Sequence, residues 1–219
     1  MPDDDRSPLT RAAHWLTTVR ITLAFGTVLS TVFLVELWVW ERFGFETFAW
    51  LFVADRAPSP AWVFSTLAHS PLRPVHLVGN LALLIVFGGM TERRLGRREY
   101  VGFLVVAGLA STFGQVLVTG TQPASRGAVG SLGASGATLA AAAYAVVASV
   151  RTKLTTGEWD GETTPIWVVA GSAIVARRLA LDLAVGVPGV GRYGHLWGVL
   201  FGVGYALARS GFGDVTDGE

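Results

Sequence analysis

The chain is divided into apolar runs, most of them close to the ~20 residues a helix needs to cross a hydrocarbon core about 30 Å thick. Lipid offers the backbone no water, so such runs are restricted to helices that pair their N–H and C=O groups internally. Composition agrees: of 219 residues, 51% are hydrophobic and 15% charged, and mean hydropathy is +0.49. The pattern predicts an all-α polytopic membrane protein with a single six-helix membrane domain over residues 21–208. A polar leader over 1–20 precedes it and an acidic tail over 209–219 follows.

The first span is expected over 21–40, too long for a signal-peptide core and without a small-residue cleavage site, hence retained. Residues 41–74 read as a long connection whose segments 50–53 and 61–64 are too short to span and lie in the interface. Further spans are expected over 75–90, 100–119, 131–150, from Pro165 onward, and over 190–208. A Gly/Pro/Ser-rich loop (120–129), a polar loop (151–164) and a breaker (185–189) separate the later ones. With the N-terminus inside, inner segments hold ten basic residues (Arg6, Arg11, Arg20, Arg93, Arg94, Arg97, Arg98, Arg151, Lys153 and Arg209) against five outside. The excess predicts cytoplasmic N- and C-termini, in the plasma membrane.

Several functions lose support at once. A net charge of +1 and no basic stripe with interleaved aromatics argue against a nucleic-acid partner. The absence of cysteine removes disulfides, thiolate nucleophiles and zinc–cysteine sites, and the four histidines form no His-Glu-x-x-His pair. No metal and no cofactor are expected.

Ser135 lies in Gly130-Ser131-Leu132-Gly133-Ala134-Ser135-Gly136-Ala137-Thr138, near the start of the fourth span. A serine boxed by glycines in a membrane helix serves either close helix packing or nucleophilic chemistry. Depth bears on the choice. Arg151, Arg209 and Arg93 close the spans that carry Ser135, His195 and His76. Counting back at ~1.5 Å per residue puts these side chains roughly 24, 21 and 25 Å from that boundary, in one layer just below the outer face. A serine hydroxyl needs a base within hydrogen-bond reach, and His195 suits that task. Gly198 and Gly202 share one face of its helix and allow close backbone approach, with Gly133 and Gly136 expected opposite. His76 and Asn80, at i and i+4, can both donate to a developing oxyanion alongside the Ser135 N–H. Taken singly, each also has a plain reading: a helix-end histidine, a satisfied core histidine, an interhelical amide. His69 is expected to shape the loop before Pro74. In the fifth span, Arg177 and Arg178 fall roughly 18–20 Å above Pro165, and Asp182 is expected to pair with Arg178. No third catalytic carboxylate is evident at the right depth on the facing helices.

These residues together resemble the rhomboid intramembrane serine proteases over about Trp62 to Gly202. His76-Leu-Val-Gly-Asn80 is similar to that family's His-x-x-x-Asn, Gly133-Ala-Ser135-Gly136 to its Gly-x-Ser-Gly, and His195-x-x-Gly198-x-x-x-Gly202 to its His-x-x-Gly-x-x-x-Gly. Glu92-Arg93 before Gly96 fits the turn after the second span. The resemblance implies a rhomboid-like bundle of six transmembrane helices in which Ser135 is the nucleophile and His195 the general base and acid. His76 and Asn80, with the Ser135 N–H, would form the oxyanion hole. It implies transmembrane protein substrates cleaved near the outer face, and a fifth span that acts as a lateral gate. Two positions depart from the pattern: Leu139 stands where an aromatic ring usually stacks on the histidine, and Val63 where an arginine follows Trp62. A pseudoprotease that binds or escorts membrane proteins is the alternative, and a small proton-coupled transporter a third.

Overall fold

The computed structural model describes residues 15–119, 130–159, 165–184 and 191–213. The expected 120–129 loop and 185–189 breaker, most of the leader and most of the acidic tail lie outside the described residues. Where it is described the chain is helical and has no strand, only an isolated antiparallel bridge between Ala54 and Ser131.

Helix α1 covers Arg20–Phe52. Its start has no side-chain cap from its own N-cap residue, Val19. The buried Glu92 carboxylate supplies one instead, accepting the Ile21 N–H at 2.9 Å and the Thr22 N–H at 2.8 Å. A negative charge at this end also complements the helix dipole. The helix does not stop near Trp40 as expected. It runs on, interrupted only at Gly44 (φ 81°), so the apolar segment 50–53 belongs largely to its second leg. Glu41, Arg42 and Glu46 ended the apolar run without ending the helix, because charged residues are good helix formers. Edge-on ring contacts of Trp40 with Phe45 and Phe48, at 5.8 and 5.3 Å, fix the bend.

After a short helix α2, Ala61–Phe64, helix α3 spans Pro74–Leu95. Proline stands at its first position, where the missing N–H costs nothing. Its middle, Leu84–Gly88, is π-helical. It ends at Gly96, whose φ of 74° favours glycine, and α4 follows over Arg97–Thr119. Helix α5 is Ser135–Thr156, α6 is Pro165–Ala184 and α7 is Arg192–Gly213. The expected polar loop 151–164 therefore contributes its first six residues to α5.

Among the described residues, α1, α3 and α4 are long and apolar enough to cross a membrane. Their outer faces agree: Val101, Val105, Leu109, Phe113 and Leu117 form an exposed stripe along α4 at a spacing of four. Lipid tolerates such a stripe where water would not. Helix α5 is different, with every residue from Ser135 to Ala145 buried. A helix enclosed by other helices has no need of large side chains, and this one is built from Ala137 and Ala140–Ala143 (140–143). Helix α6 carries Arg177, Arg178 and Asp182, and of its residues only Gly171 and Asp182 are buried.

The closest packing is between α5 and α7. A Cβ on Gly198 would come within 2.3 Å of the Gly136 carbonyl oxygen, and one on Gly202 within 2.2 Å of the Ala140 oxygen. Backbone thus lies on backbone along two turns. At the far ends, Arg151 donates to the Ala206 carbonyl at 2.8 Å and Arg94 to Ser149 at 2.8 Å. The N-terminal halves of α3, α5 and α7 meet at one side of the protein and their C-terminal ends at the other, so the three run parallel. A ring cluster of Tyr100, Phe103, Tyr144, Phe201 and Tyr205 fills the space among α4, α5 and α7.

Gly202→Ala is expected to destabilise the protein by about 1–3 kcal/mol, because the facing atoms are backbone and cannot rotate away. Gly204, two residues on, has nothing within 4 Å of an added Cβ, so Gly204→Ala is expected to be neutral or slightly stabilising. Thermal unfolding in detergent, followed for both variants, compares them directly.

Candidate functional site

The site lies where the N-terminal ends of α3, α5 and α7 converge with the C-terminal end of α6. Its floor is the segment that leads into α5. Gly133 has φ 125°, a conformation L side chains rarely adopt, and its N–H donates to the Ser65 carbonyl at 2.7 Å. Ala134 is the N-cap and Ser135 the first helical residue. The expected start at Ser131 is thus shortened by four residues, which puts Ser135 at the helix terminus, where N–H groups have no intrahelical acceptor. Gly133 is also corrected: it precedes the helix and makes a turn, so it takes no part in packing against α7. Gly136 does take part, facing Gly198, while Gly202 faces Ala140.

Ser135 Oγ stands 2.6 Å from His195 Nε2, and both residues are buried. His195 is held at the start of α7, where Gln115 on α4 accepts the N–H groups of Tyr193 and Gly194, each at 3.0 Å. On the other side of the ring, His195 Nδ1 lies 2.6 Å from Asp182 Oδ2. A carboxylate can only accept, so Nδ1 carries the proton and Nε2 presents its lone pair to the Ser135 hydroxyl. Arg178 approaches the same corner, its Nε 3.2 Å from Asp182 Oδ2 and 3.2 Å from His195 Nδ1.

This overturns one expectation: a carboxylate does face the histidine. The expected pair of Asp182 with Arg178 is retained, and a carboxylate has lone pairs for several donors. The depth of Asp182 is where that expectation fails. Counted from Pro165 at ~1.5 Å per residue, Asp182 sits roughly 26 Å up, in the layer of Ser135, His195 and His76. Gln115 was missed as well, and a glutamine in an apolar run is the kind of signal that could have found it.

His76 and Asn80 approach from α3. A Cβ on Gly133 would lie 3.2 Å from His76 Cε1 and 3.5 Å from Ser135 Oγ, so the imidazole and the hydroxyl flank the same glycine. His76 Nε2 is buried without a hydrogen-bond partner among the described residues. A buried ring nitrogen without a partner is costly unless something binds there. Asn80 is oriented on both sides: its Nδ2 donates to His69 Nε2 at 2.8 Å, and its Oδ1 accepts the Thr138 hydroxyl at 3.2 Å. One amide hydrogen is engaged and one remains. His69, in the loop before α3, is held by its ring Nδ1–H to the Leu67 carbonyl at 3.2 Å and by its backbone N–H to Glu36, 2.9 and 3.0 Å from the two carboxylate oxygens. Burial pushes the His69 imidazole down to about 4, against the opposing bond to Leu67, so its Nε2 accepts from Asn80 at neutral pH. Its loop-shaping role thus extends to the orientation of Asn80.

Leu139, which stands where an aromatic ring would stack on the histidine, is packed among Ala143, Val199, Leu83, Val175 and Leu179. Among the described residues no group of three or more acidic, histidine or cysteine side chains is arranged to hold a metal ion. Chemically, the site offers a hydroxyl with a base on it, a carboxylate behind the base, and donors across a glycine from the hydroxyl.

Comparison with known proteins gives one family. A family model described as Rhomboid domain matches residues 58–212, a stretch that includes α3 to α6, all but the last residue of α7, and every side chain just described except Glu36. No curated protein matches the chain.

Proposed function

The chain belongs to the rhomboid family, and from that premise we propose that it is an intramembrane serine protease, cleaving peptide bonds in transmembrane segments of other membrane proteins near the outer face. The observation that carries this reading is the 2.6 Å contact between Ser135 Oγ and His195 Nε2. In this reading six helices cross the bilayer, with α5 sheltered inside the bundle and both termini in the cytoplasm at the plasma membrane.

The chemistry is acyl transfer to serine. Ser135 Oγ attacks the scissile carbonyl carbon as His195 Nε2 takes the hydroxyl proton. The carbonyl oxygen becomes an oxyanion on the side of Gly133, within the reach of His76 Nε2, the second Asn80 amide hydrogen and the Ser135 N–H at the start of α5. Donors already fixed in place stabilise that charge without reorganising. Collapse breaks the C–N bond, and His195 returns its proton to the leaving amine. Water, activated by the same imidazole, then releases the acyl group from Ser135. Substrate is proposed to enter beside α6, whose lipid-facing side chains are exposed along most of its length. Only Gly171 and Asp182 anchor it deeply.

A fluorophosphonate probe is expected to label Ser135 in the purified protein, and Ser135→Ala and His195→Ala are each expected to abolish cleavage of a transmembrane reporter while the fold persists. A folded wild-type protein that neither reacts with the probe nor cleaves would favour the pseudoprotease alternative. Asn80→Ala is expected to lower turnover by about 10²–10³-fold, the usual worth of one oxyanion donor. His69→Ala should produce a smaller loss in the same direction, because Asn80 keeps its bond to Thr138; unchanged turnover in both would return the pair to loop packing. Cysteines introduced at Leu181 and Val78 and crosslinked are expected to slow cleavage of a transmembrane substrate. An undiminished rate would exclude entry beside α6.

A further inference from the structure

The described residues contain one buried acidic side chain on α6, and it touches the imidazole. We propose that Asp182 is a positioning residue that makes the site a relay of three, Ser135–His195–Asp182, fixing the tautomer and rotation of the base from a neighbouring helix. The proposal rests on the serine-protease reading of Ser135 and His195.

The geometry separates this role from a plain ion pair with Arg178. The histidine is the nearer partner, at 2.6 Å against 3.2 Å for the guanidinium, and both distances are measured to the same oxygen, Oδ2. Asp182 and His195 are both 3% exposed in their side chains, whereas the Arg178 side chain is 34% exposed. The carboxylate–imidazole contact is thus the more enclosed of the two, where a charge-assisted hydrogen bond is strongest. Among the described residues no ring stacks on His195, and side-chain partners at its Nδ1 come only from α6. Without an acceptor there, the imidazole is free to carry its proton on Nε2, and a protonated Nε2 cannot take the proton of Ser135. It is also free to rotate, which would turn a carbon toward the serine. Arg178 acts one step further out. By donating to Oδ2 it holds the carboxylate in place and offsets part of its charge. Asp182 needs no proton of its own in this scheme: it accepts from Nδ1–H throughout, and stabilises the imidazolium that forms when Nε2 takes the serine proton.

Two measurements on the full-length protein in detergent test this. The first is the rate of Ser135 labelling by a small fluorophosphonate, which does not require a substrate helix to enter. Asp182→Asn is expected to slow labelling by about 10²–10⁴-fold, the range a general base contributes, because its amide can donate to Nδ1 and stabilise the wrong tautomer. Asp182→Glu is expected to recover part of that loss. For reporter cleavage the loss should fall on kcat and leave KM nearly unchanged. The second is nitrogen-15 NMR of histidine-labelled wild type, assigned with His195→Gln, in which His195 is expected to show a proton on Nδ1 and none on Nε2. A wild type that reacts with the probe while Asp182→Asn reacts equally fast overturns the relay and leaves the protease reading intact. So does a lowered melting temperature with unchanged labelling. If Asp182→Asn does not fold, the wild-type spectrum decides, and a proton on Nε2 overturns the proposal. A folded wild type that never reacts with the probe removes the underlying reading itself.

Discussion

The contact of α7 on α5, glycine against backbone, is the constraint from which the site takes its dimensions. Gly198 lies on the Gly136 carbonyl and Gly202 on that of Ala140. A helix pair separated by ordinary side chains sits 8–10 Å apart, by rough count. Here the missing Cβ atoms let the axes approach until Ser135, at the start of one helix, reaches His195, in the first turn of the other. In lipid there is little hydrophobic force to draw helices together, so close van der Waals contact over small residues carries much of the association. The alanine-rich stretch 140–143 and the glycines are therefore as much a part of the site as the polar residues they bring together.

Around that contact the protein arranges buried polar groups in two chains. One runs from Glu36 on α1 through His69 to Asn80 and on to Thr138, with every link a hydrogen bond of 2.8–3.2 Å. The other runs from Arg178 and Asp182 to His195 and Ser135. Each fixes a different side of the space over Gly133. Buried polar groups satisfied in this way define a single arrangement, since any other would leave donors or acceptors unpaired in an apolar interior. His76 belongs to neither chain. Its Cε1 lies beside Gly133, and its Nε2 is buried without a hydrogen-bond partner among the described residues.

Much of this was legible in the residues. Depth counting brought Ser135, His195 and His76 to one layer, and the glycine spacing at 198 and 202 indicated a backbone-on-backbone interface. What escaped was mostly what hydropathy and local spacing do not encode. The continuation of α1 beyond Trp40 is set by helix propensity through Glu41 and Arg42, while apolarity alone suggested an end. Gly133 looked like a packing glycine because its neighbour Gly136 is one, but its positive φ makes it a turn. Asp182 was assigned to its nearest neighbour in sequence, Arg178, and its contact with His195 crosses from one helix to the next. A local pair is visible in a sequence, whereas a contact between helices is visible only where depth and facing direction are both known.

The π-helical turn at Leu84–Gly88 has a geometric consequence. Asn80, Leu84, Gly88 and Glu92 are all buried at a strict spacing of four. In an ideal helix of 3.6 residues per turn each such step overshoots by roughly 40°, so over three steps Glu92 would swing about 120° from the face of Asn80. The wider turn absorbs much of that phase error. One face of α3 can thereby hold Asn80 beside the serine at one end and present Glu92 to the start of α1 at the other. The length of this segment matters here more than its composition. Exchanging one aliphatic residue for another leaves the phase intact, and losing one residue while the segment closes up to a regular helix leaves eleven steps of roughly 100°, only about 20° from three full turns. An added residue has no such relief and turns the two ends by roughly 100°, so in this stretch insertions are the changes that would part the cap from the amide.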